Sequence, residues 1–237
     1  MEVSIITPVY NERENLSKLI PKIEEVLSDE VEEFEIVIVD DNSPDGSGEI
    51  ADELAEEYGN IKVLHRPEKR GLGTAYKEGF RLAQGELIVS IDSDLSHDPE
   101  ALPHMIMEAK EADIVIGSRF TEGGSIEGRS IWRDLLSTFA NRFIRILTGY
   151  PIRDWTSGFR VYRRAVWEAT MPRVQCIKWD FQFESLYKAI LDGRTVREVP
   201  ISFHERAGGS SKFNLSEALY FVLSFFKIFL TAKLTGT

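Results

Sequence analysis

The stretch Ile88–Pro99, IVSIDSDLSHDP, indicates both the fold of this chain and the place of a site. A short apolar run typical of a buried strand ends there in two aspartates, Asp92 and Asp94, one residue apart. Alternate residues of an extended chain point to the same side, about 6–7 Å apart. Two carboxylates at that spacing repel each other unless a cation lies between them or one is protonated. The pattern indicates a divalent metal with oxygen ligands, Mg²⁺ or Mn²⁺, or else an acidic turn, because Asp and Ser also favour turns.

Outward from this stretch, short β-branched runs alternate with amphipathic helical patterns. The alternation predicts an α/β fold with a mostly parallel sheet, right-handed crossovers and helices on both faces. Such sheets bind ligands beyond the carboxyl ends of their strands, and Asp40–Asp41 and Asp92–Asp94 both fall on that edge. The predicted strands are Val3–Thr7, Glu35–Val39, Ile61–Leu64, Leu87–Ile91 and Ile114–Gly117, and the predicted helices are Asn15–Leu27, Gly48–Tyr58, Thr74–Ala83 and Pro99–Ala109.

Length and charge narrow the classes of function. The 237 residues, 43% of them hydrophobic, are enough for one substantial core. A net charge of −11 argues against a general nucleic-acid binder. The charge is uneven, since residues 1–60 hold 3 basic and 18 acidic groups and residues 119–237 hold 18 basic and 11 acidic groups. An anionic partner, such as a phosphate or a lipid headgroup layer, is therefore expected at the second half. The single cysteine, Cys176, fits a reducing cytosol.

Glycine-rich phosphate loops are missing from the sequence. Gly71-Leu72-Gly73 has Tyr76 where a dinucleotide fingerprint needs its third glycine, and no GxxxxGK[ST] motif occurs. Any nucleotide is therefore expected to be held by a metal and acidic side chains.

Eight motifs stand in order along the chain. They are TPVYNE (Thr7–Glu12), VDDNSPDGS (Val39–Ser47), KRGLGTA (Lys69–Ala75), DSDLSHDPE (Asp92–Glu100), GSRF with the following GG (Gly117–Gly124), DWTSGFR (Asp154–Arg160), FQFE (Phe181–Glu184) and EVPISFHERAGGSSK (Glu198–Lys212). Together they closely resemble the dolichol-phosphate or polyprenol-phosphate mannose synthases, inverting family 2 glycosyltransferases of the GT-A fold. The likeness runs from Met1 to about Lys212.

The resemblance implies a GT-A catalytic domain over residues 1–213 that transfers mannose from GDP-mannose to a dolichyl or polyprenyl monophosphate with inversion. By motif position, the metal, Mg²⁺ or Mn²⁺, is expected at Asp92, Asp94 and Ser96, although the family often has Gln at the last position. The acceptor phosphate is expected at Arg119, Arg133 and Ser137, and the two arginines and two aspartates are expected to be catalytic. The residues expected to bind the nucleotide sugar are Pro8, Tyr10, Glu12, Val39, Asp41, Asp92, Ser93, Asp94, Arg206 and Lys212.

Three other functions remain open. A phosphate monoester is largely anionic at pH 7, so this acceptor needs no general base. A sugar hydroxyl would need one, and Asp180 or Glu184 stands where related transferases keep a catalytic carboxylate. UDP-glucose is the main rival donor. A catalytically silent nucleotide-sugar-binding subunit is the third alternative, which the intact aspartate pair disfavours.

Two helical segments suggest how the chain reaches a lipid. Ser130–Leu147 combines an apolar face that includes Trp132 with interspersed arginines, a composition typical of interfacial helices and also compatible with a helix packed on the sheet. Residues 214–237 predict an amphipathic C-terminal helix, with Glu217–Leu234 about 27 Å long and so somewhat short for a bilayer core. Packing on the protein or a dimer seam is the alternative. We expect a peripheral protein on the cytoplasmic face of a membrane, with or without a small membrane-anchoring subunit.

Overall fold

The computed structural model describes residues 1–128, 130–205 and 215–235, with side chains of the final helix described over 220–232. Its strands are β1 (Val3–Val9), β2 (Phe34–Asp40), β3 (Ile61–His65), β4 (Leu87–Ser90), β5 (Ile114–Ser118), β6 (Ser125–Glu127), β7 (Arg160–Arg163), β8 (Val196–Pro200) and β9 (Ser202–His204). Seven of them form one sheet in the order β3-β2-β1-β4-β7-β5-β8, and β6 pairs with β9 in a small second sheet. Pairing in the main sheet is parallel except at β7.

Eight α-helices connect or cover these strands within the described residues. They are α1 (Arg13–Leu27), α2 (Ser47–Tyr58), α3 (Leu72–Phe80), α4 (Leu102–Glu108), α5 (Ile131–Thr148), α6 (Arg164–Thr170), α7 (Asp180–Leu191) and α8 (Leu215–Thr235). The βαβ alternation expected over the first half of the chain is confirmed, and element ends differ from the predicted ones by a few residues.

Both faces of the sheet are covered, which explains the uninterrupted apolar run of β2. Ile36 and Ile38 belong to one core cluster, together with buried residues of α1, α2 and α4. Val37 and Val39 point to the other face and join a second cluster with residues of α3, α6, α7 and α8. A strand buried on both faces reads as continuous apolar sequence because neither side meets water.

One central strand, β7, runs antiparallel between β4 and β5. The sequence analysis did not predict it, because Arg160–Arg163 begins and ends with arginine. The guanidinium of Arg160 is fully buried, and it donates to the carbonyl oxygens of Gln182 at 2.6 Å and Trp155 at 2.9 Å. Because these oxygens accept from both terminal nitrogens of the guanidinium, an arginine can occupy the middle of the sheet, and its buried Nε has no hydrogen-bond partner among the described residues.

The C-terminal helix α8 packs on the rest of the α/β domain. Phe225, Ile228 and Phe229 are buried in the second core cluster. The ring centroids of Phe225 and Phe183 lie 4.9 Å apart, and those of Phe229 and Tyr187 lie 6.1 Å apart. The expected boundary near residue 213 therefore does not separate two independent cores.

Candidate functional site

A cavity of about 460 Å³ lies beyond the carboxyl ends of β1, β2 and β4. Open parallel sheets bind their ligands at this edge. Motifs that are far apart in the sequence meet on its wall. The wall consists of Pro8, Val9, Tyr10, Glu12, Asp41, Lys69, Arg70, Gly71, Leu72, Asp92, Ser93, Asp94, Ile177, Lys178 and Trp179.

The aspartate pair lies on this wall, directly after β4. Asp94 Oδ1 accepts hydrogen bonds from the backbone N–H of Ser96 at 3.0 Å and from the Ser96 hydroxyl. Asp92 Oδ1 accepts one from the Tyr76 hydroxyl at 3.3 Å. Leu95, which follows Asp94, has a φ of 61°. Bulky residues rarely adopt this left-handed conformation, so the surrounding structure has to enforce it. Both carboxylates are thus held in place at the cavity.

Two buried aromatic side chains, Tyr76 and His97, lie beside Asp92. Burial, and then the charge of Asp92, raises the pKa of the Tyr76 phenol, which therefore remains a hydrogen-bond donor. Burial lowers the pKa of His97 despite the nearby negative charge of Asp92, so the imidazole is neutral at pH 7. Its Nδ1 lies 3.8 Å from Asp92 Oδ2, and its ring packs against Phe159 and Phe203. His97 therefore has a packing role beside the acidic pair.

The acidic pair has the chemistry of a divalent-metal site. Carboxylate oxygens are the ligands that Mg²⁺ and Mn²⁺ prefer. Within the described parts of the chain, no cluster of three or more His, Cys, Asp or Glu side chains is arranged to hold a metal alone. The other ligands would therefore come from substrate oxygens and water. Ser96, which was expected as a third metal contact, is absent from the cavity wall and has its hydroxyl bonded to Asp94.

The residues expected to contact a nucleotide mostly lie together. Pro8, Tyr10, Glu12 and Asp41 all line the cavity. Ser93 joins the acidic strand end to this group, since its hydroxyl donates to the carbonyl oxygen of Pro8 at 2.8 Å. The wall thus brings the first three motifs of the sequence together with the aspartate pair.

Val39 is the exception among the expected nucleotide contacts. Its side chain is fully buried in the second core cluster, and the cavity wall does not include it. Side chains alternate along a strand, so Val39 points into the core. Asp41, just past the strand end, reaches the cavity instead.

Asp41 is held by a buried arginine. Its Oδ1 accepts a hydrogen bond from Arg66 Nε at 2.6 Å, and Arg66 Nη1 donates to the Thr74 hydroxyl at 2.8 Å. Burial raises the pKa of the Asp41 carboxyl, and the charge and hydrogen bond of Arg66 oppose that rise. Arg66 thereby connects Asp41 on the cavity wall to the start of α3.

Sequence reasoning missed the loop 175–179, whose residues Ile177–Trp179 line the cavity beside residues of the KRGLGTA motif. Lys69 Nζ lies 3.9 Å from the ring centroid of Tyr10, a cation–π contact between two residues that line the cavity. Gly71 has a φ of 104°, and a Cβ there would lie 2.6 Å from the carbonyl oxygen of Ile177. Gly73 donates its backbone N–H to the same oxygen at 2.9 Å. The two glycines of the motif were the available signal, because only glycine permits this approach.

One of the two candidate general bases, Glu184, holds the start of that loop. Its Oε2 accepts hydrogen bonds from the backbone N–H groups of Gln175 at 2.8 Å and Cys176 at 2.7 Å. Its Oε1 pairs with Lys188 Nζ at 2.6 Å. Burial disfavours its ionised form, but Lys188 and the backbone donors outweigh burial and lower the pKa of Glu184. Such a carboxylate is a poor proton acceptor.

The other candidate base, Asp180, holds the end of the loop. Its Oδ1 accepts from the backbone N–H of Lys178 at 3.2 Å, and its Oδ2 from the Ser224 hydroxyl at 2.5 Å. The cavity wall includes neither Asp180 nor Glu184. The structure therefore gives both carboxylates partners that hold the loop, and it favours an acceptor that needs no base.

The residues expected at the acceptor phosphate lie outside the cavity wall. Arg119 donates through Nε and Nη2 to Asp154, with both distances 2.7 Å. Arg133 on α5 donates from Nη1 to Glu205 Oε1 at 2.7 Å, and both side chains are partly exposed. Ser137 lies one turn further along α5. Arg206 and Lys212, expected at the donor diphosphate, fall outside the described residues.

An apolar surface extends over α5 and the outward side of α8. On α5 the exposed residues include Trp132, which is 81% exposed, and Phe139, which is 68% exposed. On α8 they include Leu223, which is 63% exposed. Phe143 of α5 contacts Phe226 of α8, with ring centroids 6.3 Å apart, so the two helices form one surface. No helix in the described part of the chain is long and apolar enough to cross a membrane.

The open α/β sheet with an aspartate pair at the strand-end cavity defines a GT-A-like transferase fold. The chain belongs to glycosyltransferase family 2, whose model, "Glycosyl transferase family 2", matches residues 4–170.

Two curated relatives match most of the chain. A polyprenol monophosphomannose synthase of Mycolicibacterium smegmatis is 40% identical over 225 residues, which cover 91% of this chain and 83% of the relative. An undecaprenyl-phosphate mannosyltransferase of Micrococcus luteus is 38% identical over 216 residues, covering 90% of this chain and 87% of the relative.

Solved structures support the fold at lower identity. The mannosyltransferase PcManGT from Pyrobaculum calidifontis, solved with GDP-Man and Mn²⁺, superposes with a TM-score of 0.63 at 21% identity, covering 89% of this chain and 58% of that one. Glucosyl-3-phosphoglycerate synthase from Mycobacterium tuberculosis, solved with phosphoglyceric acid, gives a TM-score of 0.70 at 17% identity. The match covers 96% of this chain and 79% of that one.

Proposed function

We propose that this protein transfers mannose from GDP-mannose to a polyprenyl or dolichyl monophosphate with inversion at the anomeric carbon. One observation carries the proposal: Asp92 and Asp94 share a cavity with Pro8, Tyr10 and Asp41, in a chain whose two curated relatives are lipid-phosphate mannosyltransferases. The carboxylates and the aromatic ring suit a nucleoside diphosphate bound with a divalent cation. The cavity volume, about 460 Å³, is within the range of small-molecule sites.

Asp92 and Asp94 would hold Mg²⁺ or Mn²⁺ against the donor diphosphate. The metal would supply neutralisation of the charge that develops on the departing GDP. Tyr76 and Ser96 orient the two carboxylates through the hydrogen bonds described above. Arg206 and Lys212 are proposed to add positive charge on the same diphosphate.

The acceptor phosphate supplies its own nucleophile. One anionic oxygen attacks the anomeric carbon, the bond from that carbon to the GDP oxygen breaks, and no proton has to be removed. The enzyme then has to position the two phosphates and balance their charge. Arg119, Arg133 and Ser137 are proposed to bind the acceptor phosphate, for which the planar guanidinium fork is well suited. The acceptor phosphate would replace Glu205 as the partner of Arg133.

The apolar surface of α5 and α8 is proposed to rest on the cytoplasmic face of a membrane. Exposed aromatic and aliphatic side chains lie there beside exposed Arg142, Arg145 and Lys227, the composition by which peripheral helices bind anionic lipids. A membrane supplies the acceptor lipid at the same surface. A small anchoring subunit would cover this face instead, and binding of the purified chain alone to lipid vesicles distinguishes the two.

Transfer by purified protein tests the proposed function. We expect radiolabel from GDP-mannose, and not from UDP-glucose, to enter polyprenyl phosphate when Mg²⁺ or Mn²⁺ is added. Asp92→Asn and Asp94→Asn are each expected to lower turnover by about 10²-fold or more, the effect of removing one electrostatic stabiliser. Their fold should persist, because removing one of two repelling carboxylates does not weaken the metal-free protein.

Asp98→Asn is the matched control for these variants. Asp98 follows the pair closely, but its Oδ1 accepts from the backbone N–H of Glu100 and it does not line the cavity. Near-normal turnover by either variant of the pair in excess metal would refute the metal assignment. Transfer from UDP-glucose alone would replace the proposed donor.

A further inference from the structure

The polar contact between α8 and the loop 175–179 suggests a role for α8 in donor binding. Ser224 faces the domain, and its hydroxyl donates to Asp180 Oδ2 at 2.5 Å. The same hydroxyl lies 3.5 Å from Cys176 Sγ. One side chain of the C-terminal helix thus contacts both ends of a loop that lines the nucleotide cavity.

Asp180 connects Ser224 to a residue of the cavity wall. Its second oxygen, Oδ1, accepts from the backbone N–H of Lys178, which is a wall residue. Lys178 also lies over the ring of Tyr220 on α8, with Nζ 4.8 Å from the ring centroid. The position of Lys178 therefore depends on α8 through a hydrogen-bonded carboxylate and a cation–π contact.

The rest of the loop is held from the catalytic domain. Glu184 fixes Gln175 and Cys176, and Gly73 donates to the carbonyl oxygen of Ile177. These contacts constrain the start and middle of the loop. The end of the loop, Lys178–Trp179, is the part where the described contacts lead to α8.

We infer that Ser224 is a positioning residue for the nucleotide donor: through Asp180 its hydroxyl fixes Lys178 against the cavity, and Tyr220 contacts the same lysine. The inference rests on the proposed function, because it takes the cavity as the GDP site. It implies that the C-terminal helix, whatever its contact with lipid, contributes to donor affinity in the absence of any membrane.

Binding of GDP with MnCl₂, measured by titration calorimetry in buffer without lipid, tests this inference. Ser224→Ala removes the hydroxyl and is expected to raise the Kd for GDP on the order of fivefold to tenfold, since a hydrogen bond to a charged group is lost. Turnover at saturating GDP-mannose should remain close to wild type, so that KM rises and kcat does not fall. Ser224→Thr keeps the hydroxyl and is expected to restore the affinity.

Thr231→Ala is the matched control, because it removes a hydroxyl from the same helix at an exposed position. Tyr220→Leu gives a second probe that does not endanger the fold, since Tyr220 is 40% exposed. It should raise the Kd for GDP about twofold through loss of the cation–π contact.

The outcomes separate the inference from the proposed function. Wild-type protein that does not bind GDP refutes the proposed function and, with it, the inference. Wild-type binding with an unchanged Kd in Ser224→Ala overturns only the inference. If Ser224→Ala does not fold, an unchanged Kd in Tyr220→Leu overturns it in the same way. A fall in kcat that Ser224→Thr does not restore would also overturn it, because the contact would then be merely structural.

Discussion

At the scale of single residues, the buried carboxylate of Asp154 holds several neighbouring groups in place through hydrogen bonds. It is fully buried, and Arg119 binds it through two side-chain donors and its own backbone N–H. Asp154 also accepts hydrogen bonds from the backbone N–H groups of Thr156 at 3.3 Å and Ser157 at 3.0 Å. The pair thus fixes both the guanidinium proposed for the acceptor phosphate and the turn that precedes β7.

Asp154→Asn should therefore destabilise the fold by about 3–5 kcal/mol at pH 7, because it leaves Arg119 buried without its counter-charge. Burial opposes ionisation of Asp154, but the charge and hydrogen bonds of Arg119 outweigh it and lower the pKa of the carboxyl. The stabilisation is thus full above the unfolded pKa of about 3.9 and is lost as the pH falls through the lower folded value. Urea unfolding of the wild type and of Asp154→Asn from pH 7 to pH 2.5 measures whether their free energies of unfolding converge as the pH falls.

Asp192→Asn serves as the control for this experiment. Asp192 pairs with Arg173 at the surface, where the two side chains are 29% and 43% exposed. Its loss should lower the free energy of unfolding by no more than about 1 kcal/mol at any pH. If both variants lose the same free energy of unfolding, burial of the Asp154–Arg119 pair contributes nothing to stability.

Residue identity allowed part of the site to be predicted. The spacing of Asp92 and Asp94 predicted two neighbouring carboxylates at a strand end, and the structure places both on the cavity wall. The side chain of Val39, which was expected there too, lies in the core instead, because a motif position does not say which way a strand residue points. Lys178 and Trp179 were missed because a loop reaches the cavity through tertiary packing, which local sequence does not record.

At the scale of elements, α5 exposes large apolar side chains, and Phe143 among them contacts α8. Its sequence allowed either an interfacial helix or one packed on the sheet. Along most of α5 the large apolar side chains are exposed, and among them Ile144 is the buried exception. A contiguous exposed surface of this kind marks an interaction site in most soluble folds.

Phe139→Glu is expected to lower the partition of the protein onto anionic vesicles by about tenfold or more, since burying such a side chain contributes about 1.5–3 kcal/mol. Leu223→Glu on α8 should act in the same direction. Co-sedimentation with vesicles measures the bound fraction, and GDP binding in buffer should stay unchanged.

Thr138→Glu separates loss of apolar contact from added charge, because Thr138 is the exposed neighbour of Phe139 and gains the same charge. A similar loss of vesicle binding in both α5 variants would indicate simple repulsion by anionic lipid. Wild-type protein that does not bind vesicles at all would favour a protein partner on this face.

Periodicity predicted the parallel strands well and the second half of the sheet poorly. The runs that form β1, β2 and β4 are apolar and short, and they alternate with helical patterns. β7 has two arginines in four residues and depends for its position on the carbonyl oxygens that accept hydrogen bonds from Arg160. Such a strand is defined by its neighbours, so its own sequence carries little signal.

At the scale of the whole molecule, the sequence left open whether the C-terminal helix rests on a membrane or packs on the protein. The structure gives α8 a buried face, with Phe225, Ile228 and Phe229 in the core shared with α7. A helix that contributes to the core stabilises the domain, and one that contacts the cavity wall also affects its ligand.

Deletion of residues 215–237 is therefore expected to lower the free energy of unfolding by about 5 kcal/mol or more, from three large side chains removed from the core. GDP binding should weaken in buffer, and transfer to a short water-soluble phosphate should fall as well as transfer to a long polyprenyl phosphate. Thermal unfolding and the two transfer assays measure these effects. A truncated protein with wild-type stability and full activity on the short acceptor would show that α8 is only a membrane attachment.

The chain is synthesised from the N-terminus, so the strand order of the sheet determines when each strand can find its partner. β1 to β4 are complete by residue 90 and can pair at once in the order β3-β2-β1-β4. The outer edge of β4 has to wait for Arg160–Arg163, and β5 has no partner in the main sheet until the same strand arrives. An open edge is where a nascent chain pairs with the wrong partner. A ribosome that pauses between residues 90 and 160 would hold the chain in that state, so the pace of translation there bears on the yield of folded enzyme.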